Sequence, residues 1–344
     1  MIYNRTMKRI LSILSVVLCC SLAQAQDKPS INVQAEVRFD YQREYIDGNA
    51  LDANSGFEGK FLNVMAFGRF NDRFSYAFRQ RLNKAHTKQS VFDATDFVNL
   101  TYRLNNHWSF TAGKQLVDLG RMVYNKAPID MYFCTEFWNK FALYQWGVNT
   151  NYTTGNKKDV FQFQLTESPF DFKNQDLYAF NLMWMGSHGW FKSFWSLNAM
   201  AYEPGEYLYF LSLGNHFQLG NAALKVDFMN RGSDADFFRL KDFSLIGELS
   251  YPVQANWNVY GKVSYDINKT ENTSDFCVLP GTELTRVGAG MEYYPLKEGN
   301  KNLRFHLYGC YATGKNGNPS GSALPGQFLV SAGVKMRVNV FQSK

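Results

Sequence analysis

The chain has 344 residues, with 36 Lys and Arg against 30 Asp and Glu. This small basic excess argues against a nucleic-acid-binding protein, which usually carries a strong positive charge concentrated on one face. The apolar content depends on 30 Phe, 20 Tyr and 7 Trp, yet the mean hydropathy is negative. Abundant aromatic surface beside abundant polar surface is typical of transmembrane β-barrels, which have aromatic girdles outside and water inside.

The N-terminus has the pattern of a secretory signal peptide. A basic segment at Lys8 and Arg9 precedes an apolar run over residues 10–22, and small residues follow up to Ala25. The pattern predicts a signal peptide over residues 1–25, so that the mature chain begins at residue 26. Its removal takes away three basic residues and no acidic one, and the net charge falls from +6 to +3.

Alternating polarity predicts that the mature chain, residues 26–344, crosses a membrane as β-strands. From Ile31 to Gln42 the odd positions are apolar and the even ones polar, which is the two-residue period of a strand. After the signal, no segment reaches the 18 consecutive apolar residues of a membrane helix. The predicted strands span residues 31–42, 59–70, 73–84, 91–104, 107–117, 141–153, 159–167, 177–186, 190–202, 207–218, 222–229, 240–251, 257–268, 283–294, 303–313 and 328–340.

These strands predict an all-β fold, a sixteen-stranded antiparallel transmembrane β-barrel. An even number of strands places both termini on the periplasmic side, with short periplasmic turns and longer external loops. The connections alternate as this rule requires, except for the brief external connection 203–206. The alternation also places Val263 toward lipid and Ser264 toward the lumen, so arginine is expected to be tolerated at position 264 but not at position 263.

One external connection, residues 118–140, is the longest and is rich in apolar and aromatic side chains. Such a loop can fold into a wide barrel and narrow it. The alternatives are a lid on the outer rim and a contact between neighbouring barrels. If the loop folds inward, its charged residues Arg121, Lys126 and Asp130 are candidates for the constriction.

Short motifs in this region resemble one known family. The segments 113–115 (Gly-Lys-Gln), 119–121 (Leu-Gly-Arg) and 128–132 (Pro-Ile-Asp-Met-Tyr) resemble the signature region of the phosphate-selective porins O and P. The strand segment 78–84 (Phe-Arg-Gln-Arg-Leu-Asn-Lys) is similar to the same family. The resemblance implies a sixteen-stranded, homotrimeric porin that passes small anions or other small solutes.

Barrel closure brings distant basic residues onto neighbouring strands. The candidate pore-lining residues are Arg38, Arg79, Arg81, Arg304, Lys335 and Arg337. They predict a basic stripe on one wall and a mild preference for anions such as phosphate, because low-dielectric walls concentrate counter-ions and guanidinium groups suit oxyanions. In the alternative, these charges pair with acidic neighbours such as Glu36 and Asp40 and only solvate the lumen.

Catalytic and metal sites are not predicted. The chain has five histidines, and none lies near a serine-containing motif or in a zinc or calcium spacing. We therefore expect no enzyme activity and no cofactor or metal. Three cysteines follow the signal, so Cys134 and Cys277 are expected to be free thiols, although a bridge between them would be allowed by export.

The sequence thus predicts a passive diffusion channel in the outer membrane, with a surface barrel for binding or adhesion as the alternative. The expected partners are small solutes, outer-membrane lipid and further copies of the chain, and no nucleic acid. The last strand also resembles the recognition signal of the barrel-insertion machinery, with Ser331, Gly333, Met336 and Val338 in the expected spacing.

Overall fold

A computed structural model describes residues 29–84, 91–173, 175–233, 240–296, 300–318, 321 and 323–343. The predicted signal peptide lies outside these residues, so its cleavage stays a prediction. The strands are β1 (Ser30–Ile46), β2 (Asn49–Ala50), β3 (Gly56–Arg69), β4 (Phe74–Arg81), β5 (Thr95–Arg103), β6 (Trp108–Leu116), β7 (Tyr144–Thr153), β8 (Asp159–Glu167), β9 (Tyr178–His188), β10 (Phe191–Glu203), β11 (Glu206–Leu219), β12 (Ala222–Gly232), β13 (Asp242–Gln254), β14 (Trp257–Ile267), β15 (Glu283–Tyr293), β16 (Leu303–Lys315) and β17 (Gln327–Gln342).

The strands form one closed antiparallel barrel. Each long strand pairs with its sequence neighbours, and β1 also pairs with β17, with Arg38 opposite Lys335. Sixteen strands of the described chain are long, and β2 is a two-residue addition that pairs with the external end of β1. The predicted sixteen-stranded fold is therefore confirmed.

The two faces of the strands differ as the alternation predicts. In β1, Phe39 is 44% exposed, whereas the neighbouring Arg38 and Asp40 are fully buried. In β14, Val263 is 47% exposed and Ser264 only 1%. The exposed apolar face is the outside of the barrel, because lipid is the solvent there.

The connections also follow the predicted alternation, with short turns at the periplasmic end and longer loops outside. The exceptions are the short external connection 204–205, as predicted, and the longer periplasmic connection 294–302. One predicted turn is shorter than expected: the sequence ends one strand at residue 186 and begins the next at residue 190, but β9 continues to His188 and β10 begins at Phe191. The turn is formed by Gly189 and Trp190, since the positive φ of Gly189, 65°, allows the tight reversal.

The apolar core lies inside the barrel, between an inserted loop and the inner faces of strands β9 to β13. That loop, residues 117–143, includes a 3-10 turn (Pro128–Asp130) and the short helix α1 (Glu136–Lys140). Thr135 caps the helix by accepting a hydrogen bond from the Trp138 N–H. Within the described ranges, none of the helices has the length and apolar character needed to cross a membrane.

Candidate functional site

The loop between β6 and β7 folds into the barrel. Val123, Ile129 and Phe137 on this loop have no exposed surface, and they pack in the lumen rather than at the rim. Phe137 contacts Phe210 of β11, with their ring centroids 5.7 Å apart. The predicted insertion of residues 118–140 thus agrees with the structure, and we call residues 117–143 the inserted loop.

Carboxylates of the barrel wall hold the backbone of the inserted loop. Asp227 of β12 accepts hydrogen bonds from the backbone N–H groups of Met122, Val123 and Tyr124, at 2.6, 2.9 and 3.3 Å. Asp266 of β14 accepts one from the Glu136 N–H at 2.9 Å. Both oxygens of a carboxyl group can accept hydrogen bonds, so these two residues give four N–H groups of the loop a partner. These two acids therefore fix both halves of the loop.

Two glycines let the inserted loop approach the wall. A Cβ on Gly214 of β11 would lie 2.5 Å from the carbonyl carbon of Arg121, and a Cβ on Gly120 would lie 2.3 Å from the Ser212 carbonyl oxygen. Neither contact is possible without displacing backbone. The loop backbone therefore crosses β11 at a distance that only glycine permits.

Tyr132 attaches the tip of the inserted loop to the opposite wall. Its ring stacks on Tyr260, with centroids 5.2 Å apart and planes 4° apart, and its hydroxyl donates to Glu292 at 2.6 Å. The guanidinium groups of Arg38 and Arg304 lie 5.0 and 5.3 Å from the ring centroid. Cation–π contacts from these two arginines add to the stacking.

Asp130 of the inserted loop joins two of the predicted pore-lining residues. Its Oδ1 lies 2.7 Å from the Arg304 Nη1 and 2.6 Å from the Lys335 Nζ. Burial alone would raise the pKa of Asp130, but the charges of Arg304 and Lys335 outweigh burial and lower it. Asp130 is therefore ionised at neutral pH and partly neutralises both cations.

The remaining predicted residues on β1 and β17 are also paired. Arg38 binds Asp40 at 2.6 Å and donates to the carbonyl oxygens of Ile129 and Met131 in the inserted loop. Arg337 donates from Nε to Glu36 at 2.6 Å.

Arg79 and Arg81 of β4 share one acid, Asp96 of β5. Their Nε atoms lie 2.7 and 2.8 Å from its carboxylate. Arg79 also donates to the Tyr144 hydroxyl at the end of the inserted loop. All six predicted basic residues therefore have acidic partners, as in the alternative derived from the sequence.

The predicted loop residues Arg121 and Lys126 differ in exposure. Arg121 is buried and donates to the Val117 and Leu119 carbonyl oxygens, so it stabilises the conformation of its own loop. Burial raises the pKa of its neighbour Asp118 to about 7, against the opposing effects of the Arg121 charge and a hydrogen bond from Asn149. Lys126 is partly exposed and pairs with Glu248 at 2.5 Å.

A second external loop, residues 268–282, covers part of the external mouth. The fully buried pair Arg231 and Asp275 fixes it, with Nε and Oδ2 2.6 Å apart. Phe276 of this loop contacts Phe170, with centroids 5.8 Å apart. Cys134 and Cys277 are free thiols, as expected.

The sequence did not single out the acids that hold these loops: Asp227, Asp266 and Asp275. A buried acid on a lumen-facing strand position has the same pattern as an acid facing water. The sequence does contain a cluster of apolar residues in the inserted loop, which implies that the loop is buried. This cluster does not identify the strands that anchor the loop.

Two chambers lie on either side of the inserted loop. The external chamber has a volume of about 670 Å³ and the periplasmic chamber about 640 Å³. Lys126 and Tyr132 line both chambers. These two loop residues therefore lie at the boundary between the two chambers.

Basic residues outnumber acidic ones in both chambers of the described chain. The external chamber has eight basic and three acidic lining residues, and the periplasmic chamber has six and three. The basic residues of the external chamber are Arg38, Lys60, Arg81, Lys84, Lys114, Arg121, Lys126 and Arg286. Those of the periplasmic chamber are Lys126, Lys225, Lys301, Arg304, Lys335 and Arg337.

Comparison with known proteins gives one family match and many structural matches. Residues 31–190 match the family model "Phosphate-selective porin O and P". No match is found among the curated proteins.

Similar solved structures include three outer-membrane proteins. OmpT of Vibrio cholerae, described as a trimer form, is 13% identical with a TM-score of 0.61, over 91% of this chain and 100% of that one. An anion-selective porin of Comamonas acidovorans is 11% identical with a TM-score of 0.64, over 90% and 100%. The channel DcaP of Acinetobacter baumannii is 10% identical with a TM-score of 0.61, over 92% and 99%. At these identities the likeness shows the shared fold.

Proposed function

We propose that this outer-membrane porin, whose residues 31–190 match the model of the phosphate-selective porin O and P family, is a passive diffusion channel that prefers small anions such as phosphate. The family and the barrel fold are those of a channel rather than an enzyme. The anion preference is supported by the excess of basic residues along both chambers.

Ion pairs with acidic residues reduce the excess positive charge of the chambers but do not remove it. Arg79 and Arg81 share the single acid Asp96, and Arg304 and Lys335 share Asp130. In the periplasmic chamber no described carboxylate lies within ion-pair distance of Lys225. Arg79 and Arg81 keep one net positive charge beside Asp96, whereas Arg304 and Lys335 also lie 3.4 and 3.9 Å from Glu292 and Glu36. The low-dielectric walls of the barrel strengthen the field of the remaining positive charge, which attracts anions.

Reversal potential across a KCl gradient tests the preference. We expect wild-type channels to favour chloride, and the double variant Arg81→Gln/Lys126→Gln to shift the reversal potential toward potassium. Added salt weakens the preference in the wild type, because the screening length falls to about 3 Å at 1 M.

The matched control is Lys158→Gln, which removes one positive charge from an exposed turn outside the lumen. It is expected to leave the reversal potential close to that of the wild type. A wild-type channel that favours potassium would refute the proposed preference. An equal shift in the control and the double variant would show that the chamber residues do not determine it.

We further propose a homotrimer. The support is the trimer form described for OmpT of Vibrio cholerae, whose fold this barrel resembles. The mass of the detergent-solubilised protein, measured by light scattering, distinguishes three copies from one.

A further inference from the structure

The external chamber combines basic groups with apolar side chains. Its lining includes Phe61, Leu116, Met131, Leu143 and Tyr144, all partly exposed. Water and small inorganic anions gain nothing from such surfaces. We propose that this chamber binds anions that carry a flat apolar body, with aromatic carboxylates as the ligand class. The proposal rests on the proposed anion channel and names a class of solute that it retains.

Arg81 is the group that would hold the carboxylate. Its Nε donates to Asp96 at 2.8 Å and its guanidinium also forms a hydrogen bond with Tyr144, so these two partners use two of its five N–H donors. Its side chain is 21% exposed, so it is reachable from the chamber. The fixed Nε orients the guanidinium, and a planar guanidinium edge matches the geometry of a carboxylate.

Aromatic rings flank this guanidinium on two sides. The Arg81 Cζ lies 5.9 Å from the ring centroids of both Phe61 and Tyr144. A carboxylate bound to the remaining N–H donors of Arg81 would therefore place its attached ring within reach of these two side chains. Offset and edge-to-face ring pairs have centroids about 4.5–7 Å apart.

The periplasmic chamber also contains aromatic rings, but the carboxylate of Glu292 lies beside them. Tyr132 and Tyr294 line it, and both donate their hydroxyl groups to Glu292 at 2.6 and 2.8 Å. A carboxylate beside those rings would be repelled by Glu292. The combination of ring and available guanidinium thus favours the external chamber.

Block of the KCl current by benzoate, compared with acetate, tests the proposal. Single channels are recorded in planar bilayers while either anion is added to the external side. We expect benzoate to halve the current at a concentration roughly fivefold lower than acetate, equivalent to about 1 kcal/mol of added ring contact. Phe61→Leu should bring the half-blocking concentrations of benzoate and acetate closer together. Arg81→Gln should raise the half-blocking concentration of both anions.

Phe67→Leu provides the matched control. Phe67 lies on the same face of β3 as Phe61 but lines neither chamber. It should leave the benzoate-to-acetate ratio unchanged. Equal block of the wild type by benzoate and acetate, with chloride preference retained, would overturn the inference and leave the proposed function intact. A wild type that prefers potassium would instead refute the proposed function. The wild-type comparison decides the inference even if a variant fails to fold.

Discussion

Gly214→Val is expected to raise the single-channel conductance, because a side chain at this position displaces the inserted loop. The new Cβ would lie 2.5 to 2.6 Å from the Arg121 backbone. The same segment depends on Asp227, which accepts three backbone hydrogen bonds from residues 122–124. A hydrogen bond typically contributes about 0.5–1.5 kcal/mol. A loop that loses its position over β11 also loses these bonds, and the passage widens.

The control for this variant is Gly261→Val on the outer face of β14. A Cβ there meets no atom within 4 Å. Conductance in planar bilayers should match the wild type for Gly261→Val and exceed it for Gly214→Val. Wild-type conductance in a folded Gly214→Val protein would mean that the inserted loop does not limit the current.

Val263→Arg is expected to prevent assembly of the barrel in the membrane. Val263 faces lipid near the middle of β14, and an arginine facing mid-bilayer lipid costs about 2–4 kcal/mol in barrels of this type. The amount of folded protein in the outer membrane, read from the heat-dependent shift in gel mobility, measures this effect.

The control for Val263→Arg cannot be its neighbour. From the sequence, arginine was expected to be tolerated at Ser264 because that residue faces the lumen. The structure argues against this expectation, because the Ser264 side chain is only 1% exposed. Thr111→Arg is the suitable control, because Thr111 faces the lumen and is partly exposed. Equal loss of folded protein in Val263→Arg and Thr111→Arg would contradict the assigned orientation of the strands.

The barrel could be predicted because the two-residue period is a local property of each strand. Every predicted strand corresponds to an observed one, from Ser30–Ile46 to Gln327–Gln342. Charge near the lumen was also partly predictable, since strand pairing brings Arg38 beside Lys335 once closure is assumed.

The pairing of those charges could not be predicted, because the partners come from elements far apart in sequence. Asp130 reaches Arg304 and Lys335 only after the inserted loop has folded across the barrel. Whether a lumen-facing residue is exposed to water depends on where the inserted loop lies. The sequence of the residue's own strand does not indicate this.

Single-channel recording of the purified wild-type protein tests the central claim most directly. The two chambers, which are both lined by Lys126 and Tyr132, predict long-lived, ohmic pores in symmetrical KCl. A protein that inserts into the bilayer as a folded barrel and never conducts would contradict the account, because the inserted loop would then close the lumen rather than narrow it.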